Sequence, residues 1–185
     1  MIRIATTSDA PAIADIYGRY VDTPITFENV APDSNEVARR MDRGLSTYPW
    51  LVDEHEQLVR GYVYACQHRE RAAYRWSVEC SVYIREDCRR RGIGRRLYEV
   101  LFQILRQQHF RNVYAGITLP NPGSQAIHES MGFESVGVYR NVGYKDDTWH
   151  DVGWWAMELN PSDDPVEPVP FSRIADQWNG DLSDR

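Results

Sequence analysis

The stretch from Tyr74 to His109 constrains the fold of this chain more than any other, because a strand, an arginine-glycine loop and a long amphipathic helix follow one another in it. In Tyr74 to Ile84, residues Trp76, Val78, Cys80, Val82 and Ile84 fall on one face, and Ser77, Glu79, Ser81 and Tyr83 on the other, which is the period of a strand. From Gly92 to His109, Leu97, Leu101, Ile104 and Leu105 recur at helical spacing among good helix formers. The loop between them reads Arg89-Arg90-Arg91-Gly92-Ile93-Gly94. The first turn of a helix leaves backbone N–H groups without intrahelical partners, and the helix dipole adds positive potential at that end. Glycine allows close approach or positive φ there, and arginine adds bidentate contacts to an oxyanion. A nucleotide P-loop would need a Lys-Ser/Thr ending, and a dinucleotide fingerprint starting at Gly92 would need its third glycine where Leu97 stands. From its residues alone the loop is either a phosphate site or a tight turn carrying solvated arginines.

The remaining pattern is mixed α/β. Met1 to Ala5 alternates as a short strand, and Ser8 caps a helix with Ile13, Ile16, Tyr17 and Tyr20 on one face. Thr23 to Pro32 is a polar, proline-punctuated loop containing the bulky Phe27, and a second helix runs from Asp33 or Ser34 to about Leu45. Trp50 to Asp53 and Leu58 to Gln67 form a hairpin around the polar turn Asp53 to Glu56. Arg111 to Leu119 is a strand, Gly123 to Met131 a short helix, and Phe133 to Tyr139 and His150 to Leu159 two closing strands. Residues 1–160 read as one domain, and 161–185 as a Pro/Asp-rich tail, extended or laid on the surface.

A formal net charge of -6 argues against a general binder of nucleic acid or anionic membrane. Cys66, Cys80 and Cys88 show no metal-ligand spacing and read as free thiols. With no apolar leader at the N-terminus and no long apolar run, the expectation is a soluble, cytoplasmic protein without metal, nucleic-acid or membrane partners. All cationic side chains but one are arginine, the exception being Lys145.

Arg-Arg-Arg-Gly-Ile-Gly resembles the (Arg/Gln)-x-x-Gly-x-(Gly/Ala) signature of the GNAT superfamily of N-acetyltransferases, with the expected strand before it and helix after it. The likeness is greater to the phosphinothricin and methionine sulfoximine acetyltransferase branch. It is carried by Thr23 to Phe27, Tyr48 to Val52, Ala73 to Trp76, Val78 to Ile84, Leu119 to Asn121 with His128-Glu129, and Trp149 to Gly153, and it spans roughly Ile2 to Leu159. The resemblance implies an α/β (α+β) GNAT fold whose mixed central sheet is splayed in the middle and flanked by helices. It implies acetyl-CoA as co-substrate, its pyrophosphate on Arg89, Arg90, Arg91, Gly92, Ile93, Gly94 and Arg95, and its pantetheine along the backbone of Val82, Tyr83 and Ile84. Asn121 would contact it from the other side, and relatives in this branch imply a homodimer.

Acetyl transfer to an amine requires the amine deprotonated, the oxyanion stabilised and the leaving thiolate neutralised, none of which requires a metal. Glu79, a lone carboxylate among apolar and small polar strand residues, matches the branch's general base; read without the resemblance it is a solvated strand residue. His128 stands seven residues after Asn121, where many GNAT enzymes carry a tyrosine that protonates the thiolate, and it reads as a proton carrier or as structural. Phe27, Arg69, Arg71, Tyr74 and Tyr83 match positions that line the amine pocket, and guanidinium groups suit an acceptor with anionic ends. His68 and Arg69 depart from the tryptophan and lysine of the branch, which leaves the acceptor open. The leading reading is acetylation of a small amino acid-like amine. The alternatives are an enzyme for a peptide N-terminus or polyamine, and a non-catalytic acetyl-CoA sensor.

Overall fold

The computed structural model describes residues 1–183. Its strands are β1 (Ile2–Ile4), β2 (Trp50–His55), β3 (Leu58–Gln67), β4 (Ser77–Ile84), β5 (Asn112–Leu119), β6 (Glu134–Lys145) and β7 (Thr148–Glu158). Its α-helices are α1 (Ala10–Val21), α2 (Ser34–Gly44), α3 (Ile93–Gln107) and α4 (Pro122–Ser130). The described strands form one sheet in the order β1-β2-β3-β4-β5-β7-β6. Every neighbouring pair is antiparallel except β4 and β5.

The parallel pair is short. Ser77, Val78 and Glu79 align with Asn112, Val113 and Tyr114, and the register ends there. Beyond Glu79, β4 continues beside β3 to Ile84 while β5 continues beside β7 to Leu119. The sheet is therefore splayed in the middle, as the resemblance implies.

Two cores cover the two faces of the β1–β4 half. Val78 and Cys80 pack with Leu97, Leu101, Ile104 and Leu105 of α3, which lies along β3 and β4. Tyr62 of β3 packs with Ile13, Ile16, Val37 and Met41 of α1 and α2. Strand alternation thus sends the apolar face of β4 to α3 and leaves Glu79, Ser81 and Tyr83 toward α1 and α2. Asp33 caps α2 by accepting from Glu36 N at 2.7 Å, so the helix starts at Ser34, the second of the two starts that the sequence offers.

The first helix, α1, begins at Ala10 behind Asp9, with Ser8 inside the short 3-10 turn Thr7–Asp9 and not at the cap the sequence suggests, and three segments differ further from the sequence reading. The hairpin turn falls at Glu56–Gln57, both at positive φ, so Asp53 lies inside β2, where it is buried and accepts from Arg60 at 2.6 Å. An acidic residue that looks like turn chemistry is a strand residue with an internal arginine partner. Residues 140–145 and 148–149, outside the strands read from the sequence, extend β6 and β7 into one long hairpin around the turn Asp146–Asp147, with register irregularities at Ser135/Gly137 and Tyr139/Gly143 that mask the strand alternation.

The segment after Pro161 is the third difference. Phe171, Ile174, Trp178 and Leu182 are buried in the α3-side core, and Leu182 N donates to Ile2 O beside β1. Widely spaced apolar anchors in a proline-rich stretch carry no periodicity, so only the packing reveals them. Truncating a fully buried aromatic costs about 3–5 kcal/mol. Phe171→Ala is accordingly expected to lower the urea unfolding free energy by about that amount, whereas an unchanged midpoint would mean that the segment is only draped over the surface.

Candidate active site

The gap between the diverging strands opens into a cleft of about 600 Å³ whose walls are β4, the start of α3 and the length of α4, with Tyr20 and Ile25 at its border. Arg90 and Gly92 adopt left-handed conformations, with φ of 60° and 74°, and Gly92 is the N-cap of α3. That pair of left-handed residues turns the chain from the short helical turn at Glu86–Cys88 into α3, so the first amides of the helix face the cleft. Gly94 sits close to α4: a Cβ there would lie 3.1 Å from the end of the Ile127 side chain, which would have to shift by a few tenths of an ångström. Arg89, Arg90, Gly92, Ile93, Gly94 and Arg95 line the wall. Arg91 does not; its guanidinium donates to the Asp87 carbonyl at 3.0 Å.

Arg85 N donates to Arg60 O, so that antiparallel pair is hydrogen-bonded, and alternation turns the backbone of Tyr83 and Ser81 toward β3. The backbone groups of Val82 and Ile84 then face the side that β5 has vacated, Cys80 still lying beside the last β4–β5 pair. Those of Ile84 are met by the Tyr20 hydroxyl, which donates to Ile84 O at 2.7 Å and accepts from Ile84 N at 3.1 Å. Val82 is thereby the open backbone position, and what Tyr83 brings to the cleft is its side chain. The Tyr83 ring stands edge-on to Tyr17 and Tyr20 at 5.0 Å, and burial pushes its phenol well above the ordinary range. Asn121, on the opposite wall, caps α4 by accepting from Ser124 N at 3.1 Å. An extended ligand with a phosphate-bearing end fits this arrangement: amides and arginines at one end, an open strand edge along the middle.

Deeper in the gap lies His128, buried on α4. Its Nδ1 donates to Ser124 O at 2.7 Å, which leaves Nε2 to accept from the Tyr98 hydroxyl at 2.9 Å. Burial lowers the His128 pKa, more than the Ser124 carbonyl restores it, and raises that of the fully buried Tyr98 well above a free phenol. The pair is neutral at neutral pH.

Glu79 occupies the point of divergence, opposite Tyr114 in the last β4–β5 pair. His68 Nδ1 donates to its Oε1 at 2.9 Å, and the Arg69 guanidinium lies 3.7 Å from the same oxygen. Among the described residues, no hydrogen bond reaches Oε2. The His68 ring stacks on Tyr114 at 4.4 Å and stands edge-on to Tyr74 at 6.2 Å, so Glu79, Arg69 and Tyr74 form one cluster through His68. Arg71 is exposed and begins the short turn Ala72–Tyr74 without joining that cluster. Phe27 stands apart from it, half-exposed, against Gly143 and 6.1 Å from the His150 ring.

The sequence matches the acetyltransferase (GNAT) domain family over residues 2–154. This chain belongs to the GNAT acetyltransferase family. Phosphinothricin N-acetyltransferase of Streptomyces viridochromogenes is 39% identical over 171 residues, covering 91% of this chain and 93% of that protein. An L-methionine sulfoximine/L-methionine sulfone acetyltransferase of Salmonella typhimurium is 31% identical over 161 residues, covering 86% and 94%. The crystal structure of a phosphinothricin acetyltransferase from Sinorhizobium meliloti in complex with acetyl-CoA superimposes with a TM-score of 0.86 at 33% identity, covering 91% of this chain and 94% of that one.

In this GNAT domain, Tyr20, Ile25, Tyr98, Tyr114 and Trp154 all border the gap or the Glu79 cluster, and none is evident from sequence reasoning. Tyr20 and Tyr98 lie on the apolar stripes of α1 and α3 and read as packing residues; their hydroxyls were the only signal. No helix among the described residues is long and apolar enough to cross a membrane.

Because His128 is held neutral by burial, the unfolded chain takes up a proton there that the folded one does not once the pH falls below about 6.5. The sign is a loss of stability with falling pH that levels off below the depressed pKa of the folded state. The thermal midpoint of the wild type is expected to drop between about pH 7.5 and pH 5, and that of His128→Asn to drop less. Parallel pH profiles for the two proteins would rule out His128 as the source.

Proposed function

We propose that this N-acetyltransferase moves the acetyl group of acetyl-CoA onto the amino group of a small amino acid-like acceptor, of phosphinothricin or methionine sulfoximine type, by direct attack with Glu79 as general base. The observation that carries the reading is the position of Glu79 at the last paired residue before the gap opens, with one carboxylate oxygen engaged by His68 and the other open. An amine arriving there finds a proton acceptor, and the strand edge beyond leads to the α3 amides that suit a pyrophosphate. The relatives named above act on acceptors of this class by their names.

Direct attack is favoured over a covalent acetyl-cysteine. Burial, and then the neighbouring Glu79, pushes the Cys66 thiol up to about 12, and burial pushes Cys80 up as well. Neither is a thiolate at neutral pH, and the thiolate is the nucleophile. Tyr98 is not the donor to the leaving thiolate of CoA in this reading, because its hydroxyl hydrogen is engaged by His128 Nε2 at 2.9 Å and burial raises its pKa. In this reading His128 and Tyr98 order the inner end of the gap, and the proton reaching sulfur comes from the amine by way of Glu79 or from solvent. The Val82 amide is the oxyanion donor in this scheme, being the backbone group that β5 leaves unpaired. Arg69 and Tyr74, in the cluster around Glu79, are the acceptor contacts nearest the base in this reading, the Arg69 guanidinium taking an anionic end, and Phe27, Tyr83 and Arg71 stand outside that cluster as outer contacts of the acceptor.

The enzyme is a homodimer in this reading. β6 is an exposed edge strand carrying Val136, Val138, Tyr139, Val142 and Tyr144, an apolar row of the kind that edge pairing covers. Its unpaired cysteines suit a reducing cytoplasm.

Thiol release from acetyl-CoA is expected with phosphinothricin or methionine sulfoximine and not with spermidine or a peptide bearing a free N-terminus; the opposite preference would discard the acceptor class. Glu79→Gln is expected to lower kcat about 100-fold or more with acetyl-CoA binding intact, and near-normal turnover would remove Glu79 from the chemistry. Sedimentation should give twice the 21.5 kDa chain mass, and Val136→Lys with Val138→Lys should give the monomer. A wild-type monomer at micromolar concentration would refute the dimer.

A further inference from the structure

The only lysine of the chain, Lys145, is buried at the end of β6. Its ammonium donates to three main-chain carbonyls, Val21 at 2.5 Å, Thr23 at 2.8 Å and Thr26 at 2.8 Å. An ammonium has three donors and no acceptor, so its hydrogen-bonding capacity is saturated, and none of the three partners is a carboxylate. Removing an ammonium from water without a counter-charge is costly. Such a group is retained where convergent carbonyls need a cation, and here they belong to the last residue of α1 and the loop that follows it.

That loop carries Ile25 and Phe27. Ile25 borders both the outer cleft and the inner gap. Phe27 lies so close over Gly143 that a Cβ at position 143 would fall 2.3 Å from its ring. Gly143 and Lys145 are two residues apart on β6 and thus share a face, one receiving the ring and the other the main chain of the same loop. On its other side the loop is tied to α1 and α2, by Tyr17 with Thr26 at 2.6 Å and by Arg40 with Glu28 at 2.7 Å. Lys145 ties it by hydrogen bonds to the β6–β7 hairpin, beside the packing of Phe27 on Gly143 and His150.

We propose that Lys145 is a positioning residue for the acceptor half of the site: its ammonium clasps residues 21–26 to the end of β6 and so sets the place of Phe27. The inference rests on the reading of Phe27 as an acceptor-binding residue. An arginine cannot replace the lysine, since a planar fork does not match three carbonyls converging on one nitrogen.

The test is a double-mutant cycle with methionine sulfoximine as acceptor. Lys145→Met is expected to lower acceptor kcat/KM about 10- to 100-fold, chiefly through KM, while the acetyl-CoA dissociation constant changes less than about twofold. In a Phe27→Ala background the same substitution should cost no more than about twofold. A full-sized loss in that background, or equal weakening of acetyl-CoA binding, overturns the positioning role and leaves the Phe27 reading standing. If Phe27→Ala alone does not affect the acceptor, the acceptor-pocket reading falls and the proposal falls with it. Should Lys145→Met fail to fold, reductive methylation of the intact wild-type enzyme decides: Lys145 is expected to stay unmodified while the exposed α-amino group reacts, and methylation of both at similar rates overturns the clasp.

Discussion

The parting of β4 from β5 after the Glu79–Tyr114 pair is the constraint on which the rest of the molecule depends. A strand that loses a neighbour leaves backbone N–H and C=O groups to be satisfied by something else. Here each strand keeps its other neighbour, β3 for β4 and β7 for β5, so the cost falls on the facing edges alone. Tyr20 meets part of it by exchanging two hydrogen bonds with Ile84 through one hydroxyl. What remains open, at Val82, is the stretch an extended ligand can pair with.

The two cores follow from the same geometry. Because alternation on β4 is kept through Ile84, one face stays fastened to α3 and the other to α1 and α2, and the gap widens without loosening either layer. The junction of β4 and α3 is therefore held at both ends. The left-handed Arg90 and Gly92 make the turn, and the lack of a side chain at Gly94 lets α4 close in through Ile127. Along this frame amides and arginines stand at the outer end, the neutral Tyr98–His128 pair inside, and Glu79 at the apex.

Several of these features are legible in the residues. The period of two in Trp76 to Ile84 gives both the strand and the side from which Glu79 projects, and the helical spacing of Leu97, Leu101, Ile104 and Leu105 gives the face of α3. Arg89 to Gly94 marks the strand-to-helix junction, although its residues alone leave a phosphate site and a tight turn both open. Other features are not legible, for physical reasons. Asp53 looks like turn chemistry because its partners, Arg60 and Arg96, are brought to it only by pairing and packing. Arg91 sits in the motif yet turns to Asp87, a choice made by local backbone direction. Phe171 and Trp178 sit in a low-periodicity segment, and their burial depends on an apolar surface built by residues from distant parts of the chain.

The sequence by itself determined the local elements and the strand-to-helix junction at Arg89 to Gly94, because these rest on periodicity and short-range spacing, and its resemblance to a family, which rests on several motifs in order, gave the class of reaction. Only the tertiary structure decided where the sheet opens, which oxygen of Glu79 is engaged, that His128 is buried and neutral against Tyr98, and that Lys145 grips the loop of Phe27. Those outcomes depend on contacts between residues tens of positions apart, whose energies are set by burial and by convergent polar groups.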